Sequence, residues 1–197
     1  MKKRISVWLL ILPIVMLACG SDDPEYYPKP RGFMRLEFPE RVYHTYEGDC
    51  GYSFDIPEYF KVENKEGSCN KDIVINRFNA SIYLTYIPVD TNLLMNIEYS
   101  QKLVYDHSIK ADEIMEARVI NDENKAYGMK YNIVGNAASP YQFYVTDSST
   151  HFLRGALYFN AAPNYDSLKP SLEYVLEDVD KMIETVKWNS EIQPLNE

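Results

Sequence analysis

Basic residues are scarce in this chain. Lys and Arg number 20 against 29 Asp and Glu in 197 residues, for a formal charge of −9. This excess of negative charge argues against a nucleic-acid partner, because phosphate contacts need clustered basic side chains. Glycine is also scarce, at 8 residues, and none lies in a glycine-rich loop that would cradle phosphate. Because 46% of the residues are hydrophobic, wholesale disorder and a fibrous structure are excluded.

Residues that carry chemistry are few, with three His and three Cys. No HExxH or CxxC spacing is present, so we predict neither a metal site nor a cofactor. His151 follows a segment that contains the letters of a catalytic triad, but a single turn cannot align nucleophile, base and orienting acid in series. We therefore predict no catalytic residue. The residues considered are His44, His107, Asp147, Ser148, Ser149 and His151.

The long apolar run lies at the amino terminus. Three basic residues at 2–4 precede an apolar stretch at 7–17, and Ala18 then precedes Cys19. This order predicts a lipoprotein signal peptide over residues 1–18, although Met16 stands where Leu is usual. Lipidation of Cys19 would hold the chain on a membrane. An ordinary cleaved signal and an uncleaved anchor are the alternatives.

Two cysteines remain once Cys19 is assigned to lipid. Cys50 and Cys69 form an even pair in an exported chain, which predicts a disulfide. A redox pair or a metal site is the alternative, but it would want a CxxC spacing or a nearby His.

A tether is predicted over residues 19–32, because its Pro and acidic content leaves no apolar face to bury. The acids that follow Cys19 are either a sorting signal or part of a solvated linker. An aromatic and basic strip inside the tether has no obvious packing role, so we predict that it docks on a partner or on the protein's own sheet edge. The strip consists of Tyr26, Tyr27, Pro28, Lys29, Pro30 and Arg31.

Hydrophobic periodicity predicts one α+β domain over residues 33–189, followed by a flexible tail at 190–197. A helix is expected from 91 or 92 to 111, and a second helix has an apolar stripe from 172 to 186 with Pro170 in its first turn. Strands are predicted at 33–38, 42–46, 52–56, 72–78, 81–87, 117–120, 126–134, 141–146 and 152–159. The last four are joined by short turns, so neighbouring strands should be antiparallel.

Both alternating sets of strand 152–159 are largely apolar, which predicts a central strand whose two faces are covered. Arg154 in its middle should then find a carboxylate partner. The acids of the last helix are expected on a solvated face, and most tyrosines in the core or in cross-strand pairs. This order of elements resembles the PsbP/Mog1-like sandwich, an antiparallel sheet with helices packed on it. The acids are Glu173, Glu177, Asp178, Asp180 and Glu184.

Several longer strings resemble the gliding-motility lipoprotein GldD family of the Bacteroidota. They are 26–32 (YYPKPRG), 102–105 (KLVY), 110–112 (KAD), 135–139 (GNAAS), 142–148 (QFYVTDS) and 151–160 (HFLRGALYFN). The likeness extends over nearly all of the mature chain, including Cys50, Cys69 and the terminal Lys187-Trp188.

The resemblance implies a lipid-anchored accessory to gliding and to the linked type IX secretion apparatus. It gives no catalytic residues. We expect a non-enzymatic binding or assembly factor of the envelope, anchored in the outer membrane and facing the periplasm or the surface. Its partners would be other envelope lipoproteins and proteins of the machinery. A glycan- or peptidoglycan-binding module is the alternative, and a hydrolase that assembles its histidines by folding is a third.

Overall fold

The computed structural model describes residues 37–48, 50–65 and 67–189. Within them lie ten strands and two α-helices, with a 3₁₀ turn at Asn76–Phe78. The strands are β1 (Tyr43–Glu47), β2 (Tyr52–Pro57), β3 (Lys61–Asn64), β4 (Lys71–Ile75), β5 (Ala80–Pro88), β6 (Ala111–Asn121), β7 (Ala126–Gly135), β8 (Tyr141–Thr146), β9 (His151–Phe159) and β10 (Lys187–Trp188). The helices are α1 (Leu93–Tyr105) and α2 (Tyr165–Glu184).

The described strands form two antiparallel sheets. The smaller has the order β1-β2-β10, and the larger has the order β3-β4-β5-β9-β8-β7-β6. The run β6-β7-β8-β9 is an antiparallel meander, as its short turns predict. The predicted α+β class with antiparallel sheets and packed helices is confirmed. The closer likeness to PsbP/Mog1 proteins stays a prediction.

Strand β9 is the fourth of seven strands and is buried on both faces, as predicted. Successive side chains of a strand point to opposite faces of its sheet. Leu153 and Leu157 therefore enter the larger hydrophobic core, whereas Phe152 enters a second core on the other face.

The larger core lies between the seven-stranded sheet, α2 and β2. Helix α2 contributes an apolar stripe spaced at three and four residues, the period of one helix face. Leu172, Val175, Val179 and Met182 of this stripe are at most 2% exposed. Together α2 and the small sheet cover one face of the large sheet.

Helix α1 covers the opposite face only in part. It follows β5 and precedes β6, and it packs on β8 and β9 in the middle of the sheet. Ile97 and Val104 pack with Tyr131, Tyr144 and Phe152 below the helix. A helix of this length cannot cover seven strands, so sheet surface remains open on both flanks of α1.

The first helix is shorter than predicted. It ends at Tyr105, and Ala111, which was assigned to the helix, is the first residue of β6. Asp106, His107 and Ser108 form turns in between, because short polar side chains compete with helical hydrogen bonds. Strand β6 accordingly begins six residues before the predicted 117.

The second helix begins earlier than predicted, so Pro170 lies inside it and not in its first turn. Asn164 caps the helix, and its side chain accepts a hydrogen bond from Ser167 N at 3.3 Å. This cap, and not the proline, marks the start of the helix.

Other differences concern short segments. The predicted strand 72–78 ends at Ile75 and continues as the 3₁₀ turn. Strands β3 and β10 were not predicted, since each is too short and polar to show a period of two. Of the predicted strand 33–38, residues 33–36 lie outside the described residues, and Glu37 and Phe38 are not in a strand. Signal peptide 1–18, tether 19–32 and tail 190–197 also lie outside them.

Cys50 and Cys69 are joined by a disulfide, the pair expected from the cysteine count. Their sequence separation is 19 residues, and Cys50 is 4% exposed within the larger core. The bond fixes the segment just before β2 to the segment that leads into β4.

Replacing both cysteines with alanine is expected to lower the free energy of unfolding by about 3 kcal/mol, because the unfolded chain regains the entropy of a closed loop. Urea unfolding of the oxidised protein measures the difference. Reduction of the unmodified protein should lower its stability by a similar amount. A double variant within about 1 kcal/mol of the parent would show that the bond contributes little.

Candidate functional site

His151 lies at the first position of β9 and is 5% exposed. Its Nδ1 is 2.7 Å from the hydroxyl oxygen of Tyr86 in a hydrogen bond. The imidazole is parallel to the indole of Trp188 at 3°, with ring centroids 5.1 Å apart. Burial lowers the pKa of His151, an effect that Asp147 opposes. His151 is therefore held by two aromatic neighbours, not by a catalytic acid.

Asp147 organises the turn before His151. Its Oδ1 accepts hydrogen bonds from backbone N–H groups of Ser149, Thr150 and His151 at 2.8 to 3.0 Å. Burial favours the protonated acid, but these backbone bonds prevail and lower the pKa of Asp147. The Ser149 hydroxyl also donates to this carboxylate, at 3.0 Å. Asp147 and Ser149 therefore stabilise the turn and do not form a catalytic triad with His151, because the carboxylate binds the Ser149 hydroxyl and the backbone N–H groups.

A polar hollow of about 450 Å³ lies beside His151 and Trp188. The turn after β6, the turn after β8 and the end of β10 supply the rest of its lining, which is Glu123, Asn124, Lys125, Asp147, Lys187 and Asn189. His44 lies far along the chain on exposed β1, and His107 is half-buried after α1. Within the described residues, no three His, Cys, Asp or Glu side chains are grouped to hold a metal ion.

The acids of α2 do not all face solvent, which corrects the prediction. Asp178 is 0% exposed. It accepts hydrogen bonds from the hydroxyls of Tyr43, at 2.5 Å, and Tyr59. Arg41 Nε lies 3.2 Å from Oδ1 as an ion pair without hydrogen-bond geometry. These three partners come from the segment before β1, from β1 and from the turn after β2, so the cluster fastens the amino-terminal part of the domain to α2.

Arg154 has an amide partner where a carboxylate was predicted. Its NH2 donates to Oε1 of Gln142 on neighbouring β8 at 2.6 Å. None of the ion pairs found among the described residues includes Arg154. The prediction failed because an amide oxygen is also an acceptor, and β8 places one directly beside the guanidinium.

The outer face of α1 carries several large apolar side chains beside the polar Glu98, Gln101 and Lys102. Leu94 is 67% exposed, Met95 64% and Tyr105 49%. The Tyr105 hydroxyl donates to Glu116 of β6, and this hydrogen bond joins the end of the helix to that strand. Ile120, on the same side of the molecule, is 66% exposed. Exposed apolar side chains grouped in this way mark interaction surfaces.

Strand β6 is the edge of the large sheet, with β7 as its partner among the described strands. It is 11 residues long, and its outer side is not paired within the described part of the chain. A hollow of about 300 Å³ lies on the α1 face, lined in part by Ile97, Arg118 and Tyr127. A second, of about 410 Å³, includes Val119 and Ile183 on the α2 face. We call β6, the two hollows and the exposed side chains Leu94, Tyr105 and Ile120 the β6 surface.

Two predicted sites fall outside the described residues. They are the lipidation site Cys19 and the docking strip formed by Tyr26, Tyr27, Pro28, Lys29, Pro30 and Arg31. The β6 surface was not predicted. Only 117–120 of that strand was predicted, because the charged residues of the remainder show no hydrophobic alternation. The signal that was available is the apolar content of α1 outside its buried face.

The fold and its surface define an α+β domain with an open sheet edge next to an apolar helix face. In the part of the chain that the structure describes, no helix is both long and apolar enough to cross a membrane. The sequence matches the family model of gliding motility lipoprotein GldD over residues 23–188. The chain therefore belongs to the gliding motility lipoprotein GldD family, and it is a membrane-anchored protein of the envelope. No curated protein matches the sequence.

Proposed function

We propose that the chain is a non-enzymatic binding factor that joins the gliding machinery to the linked type IX secretion apparatus in the envelope. Cys19 carries the lipid, with palmitate-type acyl chains inserted in the outer membrane. The observation that carries the binding role is the β6 surface, a long edge strand that no other described strand pairs on its outer side, beside exposed apolar side chains.

The partner is an extended segment of another envelope protein of the machinery, which adds as a strand to β6. An edge strand offers a row of N–H and C=O groups that another chain can pair with. Side chains of an added strand alternate between the two faces of the sheet. The hollows of about 300 and 410 Å³ lie on opposite faces of β6, so each would receive alternate side chains of the partner.

The charged residues of β6 indicate which side chains a partner strand should have. Asp112, Glu113 and Glu116 give β6 an acidic character, and Arg118 is its one basic residue. A basic and apolar segment fits this edge better than an acidic one, since like charges directly opposite each other destabilise a strand pair.

The non-enzymatic role is supported by the state of the histidines. His151 is stacked and hydrogen-bonded, and its neighbour Asp147 is occupied by backbone groups. The family description names a lipoprotein of motility and no reaction.

Replacing Leu94 and Ile120 with aspartate in one chain is expected to reduce recovery of the partner at least about tenfold. Both side chains are at least 66% exposed, so the fold should be retained. The measurement is an affinity pull-down of the tagged, lipidated full chain from crosslinked cells, with gliding scored in parallel.

Val42→Asp is the matched control, since Val42 is also exposed, at 46%, but lies before β1 on the small sheet. It should recover the partner as the parent does. Unchanged recovery by the Leu94/Ile120 variant would overturn the role of the β6 surface. Equal loss in the control would do the same, because the effect would not be specific to β6.

A glycan-binding module is a second candidate, favoured by the hollow of about 450 Å³ beside Trp188. An indole next to amide and charged side chains is suited to a sugar. Binding of purified cell wall without other proteins, abolished by Trp188→Ala, would support this function over protein docking.

A further inference from the structure

The flank of α1 that faces away from β6 leaves a second stretch of the large sheet open. On this face lie Thr85 of β5, Arg154 of β9 and Gln142 of β8. Tyr83 is 42% exposed, and its ring lies 5.5 Å from that of Tyr158, which is half-buried. This part of the sheet therefore presents two accessible tyrosines next to a guanidinium.

Arg154 is a partly buried cation without an anion. It donates to a neutral amide oxygen of Gln142, and it forms no ion pair in the described part of the chain. Burial lowers the pKa of Arg154, as expected for a desolvated cation, and nearby Tyr158 and Tyr99 only oppose this effect. A guanidinium has five N–H donors, so several remain for a ligand.

Gln142 adds an independent observation. Its side chain is 1% exposed, and its Nε2 has no hydrogen-bond partner among the described residues. Such a buried donor without an acceptor is destabilising, and a ligand that accepts from it removes the penalty. Because Nε2 and Oε1 are bonded to the same carbon and Oε1 accepts from Arg154, the orphan donor lies beside the guanidinium. A guanidinium without an ion pair and an amide N–H without a partner thus lie side by side in the described part of the chain.

The residues around Arg154 and Gln142 include several aromatic side chains. Tyr99 of α1 lies close enough to Arg154 to oppose the lowering of the pKa of Arg154. His107, just past the end of α1, is also close, since Arg154 contributes to the lowering of the pKa of His107, after burial and against Asp106. The ring pair of Tyr83 and Tyr158 continues the surface along the sheet.

We propose that Arg154 and Gln142 bind a carboxylate group, and that the apolar part of the same ligand rests on Tyr83 and Tyr158. A planar guanidinium matches a planar carboxylate with two parallel hydrogen bonds. Lys65 lies over the Tyr83 ring, with its Nζ 5.9 Å from the ring centre, but it is paired with Asp72 at 2.8 Å. A doubly charged phosphate is therefore disfavoured, because Arg154 is the cation of this site that forms no ion pair within the described residues. The site goes beyond the proposed function, since it is separate from β6 and does not depend on which protein docks there.

The carboxylate can belong to an acidic sugar or to a peptide chain end, and paired probes separate the two. The lipidated full chain in detergent is titrated by calorimetry with glucuronate against methyl glucoside, and with N-acetyl-tyrosine against its amide. We expect the acid of one pair to bind with a dissociation constant of about 1 mM or tighter, and its neutral partner at least tenfold more weakly. The pair that binds identifies the source.

Arg154→Gln should weaken binding of that acid at least about tenfold, a typical loss for a charge-assisted pair. Arg77→Gln is the matched control, an exposed arginine in the 3₁₀ turn between β4 and β5, and should leave binding unchanged. Tyr83→Ala tests the aromatic part without touching the core and should weaken binding about threefold to tenfold.

Three results would overturn the proposal. The first is that neither acid binds at about 20 mM. The second is equal binding of an acid and its neutral partner. The third is a folded Arg154→Gln variant that binds as the parent does, which would make Arg154 a purely structural residue. If Arg154→Gln does not fold, binding that is unaffected by Tyr83→Ala overturns the proposal instead.

Discussion

Asp178→Ala is expected to lower the free energy of unfolding by about 3–5 kcal/mol, because it leaves a buried cation and buried hydroxyls without their acceptor. The Asp178 side chain is fully buried between Arg41, Tyr43 and Tyr59. Burial first, and the hydrogen bond to Asp178 second, raise the pKa of Tyr43 to about 12, so this phenol stays a donor at neutral pH. Urea unfolding followed by circular dichroism measures the loss.

Glu177→Ala is the matched control on the same helix. Glu177 also pairs with Arg41, at 2.5 Å, but its side chain is 67% exposed, and an ion pair in solvent contributes about 1 kcal/mol or less. Asp178→Asn should fall between the two, since an amide keeps one acceptor and loses the charge. A loss for Asp178→Ala no larger than that of Glu177→Ala would contradict the structural role of the cluster.

The segment that contains Arg41 makes further contacts with α2. Arg41 also donates to the backbone oxygen of Tyr174 at 3.1 Å, and Phe38 stacks on the ring of Tyr174 at 4.5 Å. These contacts fix the first described residues to α2.

The elements that were predicted well are those whose burial is set by their own sequence. Strands β7, β8 and β9 are runs rich in apolar and aromatic residues between short turns, and α2 has a regular apolar stripe. Asp178 lies beside that stripe, and its burial depends on two tyrosines more than a hundred residues away. No local pattern contains that information.

The candidate sites were predicted less well for a related reason. Strand β6 has one buried residue in 11, so hydrophobic alternation shows only a fragment of it. Its value as a docking edge follows from the strand order, which brings β6 to the rim of the sheet. The Arg154 site likewise depends on Gln142, whose amide comes to the guanidinium through the pairing of β8 with β9. Sequence pointed to Arg154 but named the wrong partner.

Loss of the lipid at Cys19 is expected to have the largest effect in cells. A single acyl chain holds a protein only marginally, whereas two or three chains, at about 0.8 kcal/mol per buried methylene, hold it stably. Loss of the anchor therefore shifts the protein from fully membrane-bound to fully soluble. The effect on gliding should be as large, because a partner captured away from the membrane is not joined to the machinery.

The most direct measurement compares the native chain with an exported form that lacks the lipid. Residues 1–18 are replaced by a signal peptide that the general signal peptidase removes, and Cys19 is changed to serine, so no uncleaved signal can act as an anchor. In cells that lack the native protein, we expect the native chain in the membrane fraction with gliding restored, and the Cys19→Ser form soluble with gliding absent. A Cys19→Ser form that stays membrane-bound, or that restores gliding in full, would contradict the account.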